Sequence, residues 1–123
     1  MLTLPPAVRI YVAAEPVDMR RSFHGLAAAV RGQLQLEPAS GHLFVFLNRR
    51  ANLLKAIFWD RTGYAILAKR LSQGTFFLPV DVPEGARQVM VSGAQLGLML
   101  EGLDLRGATQ RKRYQPREIT LPV

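Results

Sequence analysis

The chain has 123 residues and no cysteine. That is long enough for one domain burying roughly two-thirds of its unfolded surface, and it excludes disulfides, thiolate metal sites and cysteine nucleophiles. Sixteen Lys and Arg against nine Asp and Glu leave a net charge of +7, and thirteen of the sixteen are arginine. Guanidinium pairs bidentately with phosphate and stacks on bases, so the balance suits a nucleic-acid partner. The alternatives are a solvated basic surface or a dock for an acidic protein.

Met1 to Ala7 lacks a basic n-region, and Pro5-Pro6 interrupts its apolar stretch, so it does not read as a signal peptide. No apolar run approaches the ~20 residues of a membrane helix, and a soluble protein is expected. Val8 to Ala13, β-branched and aromatic after the prolines, predicts a short strand. Asp18 is placed to cap a helix over 19–34, in which Phe23, Leu26, Ala27, Val30 and Leu34 repeat on one face. Arg20, His24 and Arg31 fall beside that face. Glu37 to Gly41 is a loop.

The middle of the chain predicts three consecutive antiparallel strands: Leu43 to Leu47, Leu53 to Trp59 and Tyr64 to Leu71. Asn48 to Asn52 forms the first hairpin loop. Asp60-Arg61-Thr62-Gly63 carries a type I turn signature, Asp first and Gly last. That register sets Trp59 opposite Tyr64, Ile57 opposite Ile66 and Lys55 opposite Ala68. The period of two predicts one face of Phe44, Phe46, Leu54, Ala56, Phe58, Ala65 and Leu67, to meet the core helix. The other holds Leu43, Val45, Lys55, Ile57, Trp59, Tyr64, Ile66 and Arg70, and must be covered by another element or used for binding.

Beyond it, 72–86 is loop-rich, with Phe76-Phe77 a short strand or packed loop. Arg87 to Val91 predicts a fifth strand. Ser92 and Gln95 form a capping box opening a second helix, with Leu96, Met99, Leu100 and Leu103 on one face. Gly97 and Gly102 weaken that helix by about 1 kcal/mol each, which packing or a helix end should explain. From Arg106 on there are five basic residues and few apolar ones, the composition of a flexible tail.

Catalytic signatures are missing. There is no GxGxxG or GxxxxGK, and Gly93 and Gly97 share only a weak GxxxG spacing. His24 and His42 have no ligand partner at i+3 or i+4. Asp18 and Asp60 have structural tasks, Asp81 lies in a loop, and Glu101 with Asp104 is a single pair rather than a two-metal cluster. None of Ser22, Ser40, Ser72 or Ser92 sits in a nucleophile elbow. The basic groups gather instead as Arg20-Arg21, Arg49-Arg50, Lys69-Arg70 and Arg111-Lys112-Arg113. Arg49 and Arg50 sit at a hairpin tip, where they reach a phosphate freely. Arg20 and Arg21 open a helix, where the dipole disfavours positive charge.

Several segments together resemble TnpB, the accessory protein encoded by the second open reading frame of the insertion sequence 66 transposon family. They are Pro16 to Leu26 (PVDMRRSFHGL), Gly41 to Arg50, Lys55 to Asp60 with Gly63, Lys69-Arg70-Leu71 with Gly74 and Phe76, and Leu98 to Asp104. The resemblance spans roughly residues 8–105. His24 stands where an acidic residue is common, and Leu78 where an aromatic precedes the proline. The resemblance implies a bacterial cytoplasmic protein of a mobile element. It would work beside a separate transposase that carries the cutting and joining chemistry, and no catalytic residue carries over.

The expected fold is α+β: an antiparallel meander of four to five strands with two helices packed on it, in one domain over 1–105, and a basic tail over 106–123. The expected function is a non-catalytic transposition factor, without cofactor or metal. It would contact DNA, at transposon ends or as non-specific duplex, through Arg49, Arg50, Lys55, Arg61, Lys69, Arg70, Arg111, Lys112 and Arg113. The alternative is an adaptor that docks on the transposase or another element-encoded protein without touching DNA.

Overall fold

In the computed structural model the described residues are 7–102. Five strands form one sheet in the order β4-β3-β2-β1-β5: β1 (Ile10–Ala13), β2 (Leu43–Leu47), β3 (Leu53–Trp59), β4 (Tyr64–Arg70) and β5 (Gln88–Val91). Helix α1 (Phe23–Ala29) continues as a π-helical turn, Val30–Leu34, and α2 (Gly93–Glu101) follows β5. The α+β class, the five strands and the two helices are as expected. The sheet is mixed, however, because β1 runs parallel to β2 while the other neighbours are antiparallel. The reason is α1 itself: a helical crossover returns the chain to the end of the sheet from which it left, which makes a parallel pair.

The β3–β4 register is as predicted, with Trp59 opposite Tyr64, Ile57 opposite Ile66 and Lys55 opposite Ala68. The Trp59 and Tyr64 rings meet edge to face, centroids 5.0 Å apart, a favoured aromatic geometry. Asp60 Oδ1 organises the turn, accepting from the Thr62 amide at 3.0 Å, the Thr62 hydroxyl at 2.9 Å and the Gly63 amide at 3.1 Å. The turn is not type I, because Arg61 has φ +88°. A positive φ at the first central residue suits the right-handed twist of a hairpin, and the Asp60 bonds hold the non-glycine residue there.

The predicted faces require one correction. Phe44 lies opposite Ile57 and Phe46 opposite Lys55, so Phe44 and Phe46 meet the core helix as expected, but Leu54, Ala56, Phe58, Ala65 and Leu67 lie on the other face. Four residues separate the paired Asn48 and Leu53, and a change of one residue in loop length inverts every side chain of a strand. Phe44, Phe46, Ile57, Tyr64 and Ile66 therefore pack under Leu26, Ala27, Val30 and Leu34. On the opposite face Leu43, Val45, Leu54 and Ala56 meet Phe76, Val91 and Met99. Both faces are covered, giving three layers, and each fully buried Leu, Val or Phe contributes about 1.5–3 kcal/mol.

Helix α1 begins later than predicted, at Phe23 rather than Met19. Asp18 does not cap it, because its carboxylate is taken by Arg20. Phe23, placed on the core face by periodicity, is 46% exposed. The π-helical turn ends at Gln35 with φ +58°, and Gln33 Nε2 ties it to the Glu15 carbonyl at 3.1 Å.

Helix α2 opens with the predicted capping box, Ser92 and Gln95 exchanging side-chain and backbone bonds. Gly102 marks its end at φ +80°. Gly97 has neither excuse: a Cβ there would meet nothing within 4 Å. Gly97→Ala is expected to stabilise the protein by about 0.5–1 kcal/mol, since alanine loses less backbone entropy in a helix. Thermal unfolding checks it, and an unchanged or lower melting temperature refutes it.

Candidate nucleic-acid interface

The β2–β3 loop is built around Asn48. Its Oδ1 accepts from the amides of Asn52 at 2.9 Å and Leu53 at 3.0 Å, and its Nδ2 donates to Asn52 Oδ1 at 2.7 Å. Ala51 takes φ +57°. The Ala51 carbonyl accepts from the Phe76 amide at 2.7 Å, and the Asn52 carbonyl from the Leu71 amide at 2.9 Å. Arg49 and Arg50 are thus exposed on a loop whose backbone is tied from both sides.

The segment before α1 forms the facing wall. The Val17 amide donates to the Leu47 carbonyl at 3.0 Å, anchoring it to β2. Lys55, on the α1 face of β3, sends its ammonium to the carbonyls of Met19 at 2.8 Å and Arg21 at 3.0 Å. Between these walls lies an open cleft of about 590 Å³, floored by Val17, Met19 and Leu53 and edged by Arg20, Arg49, Arg50 and Arg70. Arg70 reaches it because it lies opposite Leu53 in the β3–β4 pair.

The four arginines are not equivalent. Arg20 grips Asp18 with Nε at 3.0 Å from both carboxylate oxygens and Nη2 at 2.6 Å from Oδ2. The Arg20 side chain and then its backbone amide, hydrogen-bonding the carboxylate, lower the Asp18 pKa to about 2, so the pair is neutral overall at physiological pH. Among the described residues Arg49, Arg50 and Arg70 have no ion pair. The cleft therefore holds three uncompensated positive charges beside an apolar floor, an arrangement suited to phosphates.

Residues 8–110 match the family model described as IS66 Orf2 like protein. The chain belongs to this family. Membership implies a role in IS66 transposition, in a family of accessory proteins generally without known catalytic activity. The chain is similar to two proteins of Sinorhizobium fredii. One is "Uncharacterized protein y4jC", 35% identical over 112 residues that cover 91% of this chain and 93% of that one. The other is "Uncharacterized protein y4hO", 41% identical over 106 residues that cover 86% and 90%. No solved structure matches.

The remaining predicted contact residues of this IS66 Orf2-like chain are scattered. Lys69 lies on the face opposite Arg70 and donates to the Leu100 carbonyl at 2.6 Å, satisfying the last turn of α2, where a cation is favoured. Arg61 is exposed at the far hairpin tip, six strand steps or roughly 20 Å from Arg70. Lys55 is half-buried and supports the cleft wall. Arg111, Lys112 and Arg113 lie outside the described residues, as does the whole segment expected as a tail. Sequence reasoning missed Arg20 at the cleft, having placed it in a helical turn. The available signal was Asp18 two residues before it, a spacing that lets the carboxylate take both the Arg20 amide and its guanidinium. Among the described residues no group of three or more His, Asp or Glu could hold a metal ion, and no helix is long and apolar enough to cross a membrane.

Proposed function

We propose that this protein is a non-catalytic factor of IS66 transposition that binds DNA, with Arg49, Arg50 and Arg70 as the phosphate contacts of the folded part. The observation that carries this reading is that three guanidinium groups from two separate chain segments, without an ion pair among the described residues, line one cleft. Arg61 at the distant tip, together with Arg111, Lys112 and Arg113, would extend the contact along the strand. Lys55 and Lys69 serve by holding the cleft wall and the α2 end.

A titration of labelled DNA across a salt series tests the reading. The protein is expected to bind with a non-specific dissociation constant on the order of micromolar to 100 µM at physiological salt, weakening steeply as salt rises. Absence of binding at the lowest salt refutes it.

One observation favours the adaptor reading. The edge strand β5 exposes Met90 at 57%, on the same face as Gln88, whose Oε1 is buried with no hydrogen-bond partner among the described residues. An apolar side chain beside such an acceptor on an edge strand suits a protein contact. DNA binding that survives Met90→Lys would leave that surface to another element-encoded protein. Such a protein bound in place of DNA would make the adaptor the primary function.

A further inference from the structure

The shape of the cleft and the state of Arg20 say more than charge does. A duplex presents its phosphates on a convex rod, and surface arginines are sufficient to meet it. This site is an open concave cleft of about 590 Å³, with Val17, Met19 and Leu53 among the arginines in its lining. Such a recess is wasted on a duplex backbone but matches one nucleotide turned out of a helix or lying in a single strand. Arginine-lined grooves with a flat surface for each base are how unpaired strands are held.

Arg20 supplies the flat surface. Its side chain is 90% exposed, yet it is fixed by Asp18 through Nε and Nη2 together. Gripping along one edge sets the guanidinium plane and leaves its faces open. Because the pair is neutral, it does little to attract phosphate. Guanidinium planes are recurrent stacking partners for unpaired bases.

We propose that the cleft takes one unpaired nucleotide of a DNA strand. Its flanking phosphates would lie against Arg49, Arg50 and Arg70, and its base against the Arg20 plane that Asp18 holds. The proposal rests on the DNA-binding reading above and deepens it: the preferred ligand is single-stranded or distorted DNA, such as a frayed or cut end.

The test compares a twelve-nucleotide oligothymidine with a blunt twelve-base-pair duplex, by anisotropy at fixed salt, on the full chain. The single strand is expected to bind at least tenfold more tightly. The paired variant Asp18→Asn with Arg20→Ala keeps the cleft charge constant, and the introduced carboxamide oxygen can still accept from the backbone amide two residues on. It should weaken single-strand binding by about five- to a hundredfold, the worth of one stacked base. It should leave the salt slope, the duplex affinity and the melting temperature unchanged. Equal affinity for the two DNA forms overturns the proposal while leaving DNA binding intact, as does wild-type single-strand binding by the paired variant. Failure to bind either form overturns both readings.

Discussion

The triple variant Arg49→Ala, Arg50→Ala, Arg70→Ala is expected to lose about 100-fold or more of its DNA affinity at 0.1 M salt. Each guanidinium that neutralises a duplex phosphate releases about 0.9 counterion, so three contacts should flatten the log–log salt slope by roughly 2.7. Stability should stay close to wild type. Arg49 and Arg50 are exposed, none of the three has an ion pair among the described residues, and the loop geometry belongs to Asn48 and Asn52. Removing like charges from one cleft also relieves mutual repulsion. The measurement is a salt titration paired with thermal unfolding. Wild-type affinity in the folded triple variant would move DNA contact away from the cleft and strengthen the adaptor reading. Arg87→Ala, an exposed arginine outside the cleft, is the matched control and should change affinity far less.

Gly102→Ala should cost about 2–3 kcal/mol of stability. Gly102 ends α2 at φ +80° and ψ 178°, a backbone region that is essentially glycine's alone and carries about 1–3 kcal/mol of strain for other residues. A Cβ there would also lie 2.7 Å from Leu71 Cδ1 and 3.3 Å from the Thr75 carbonyl oxygen. The leucine methyl can rotate away, but the carbonyl belongs to the backbone of the segment that carries Phe76 into the second core. Gly85→Ala is the comparison. Gly85 also has a positive φ, +81°, but open space around it, so alanine there carries a conformational cost without a clash, about 1 kcal/mol. Denaturant unfolding of both variants gives the comparison. A loss at Gly102 no larger than that at Gly85 would refute the expected cost.

The cleft and the α2 terminus are two ends of one arrangement. Strand β4 delivers Arg70 to the cleft on one face and Lys69 to the α2 terminus on the other. The segment after β4 supplies Leu71 and Phe76, whose amides tie down the carbonyls of Asn52 and Ala51 beside Arg49 and Arg50. Stability of the second core and shape of the cleft are therefore linked through the same few residues.

The amino-acid sequence by itself determined the local pieces. Alternation and turn chemistry located β2, β3 and β4 and paired Trp59 with Tyr64. Ser92 and Gln95 announced α2. All of these rest on neighbours in sequence or on a short hairpin. Tertiary structure decided what depends on distant partners. The crossover through α1 made β1 parallel to β2. The parity of one loop chose which β3 and β4 side chains face α1. The Lys55 ammonium was drawn inward by the Met19 and Arg21 carbonyls, and the segment before α1 stayed unwound to form a wall. Lys69 and Arg70, adjacent in the chain, went to opposite faces because a strand alternates, so one could join Arg49 and Arg50 and the other could not. Arg20 became a fixed plane because Asp18 took its guanidinium instead of capping a helix. A count of charges records how many cations a chain carries; only the packed fold decides which remain unpaired and which of them meet.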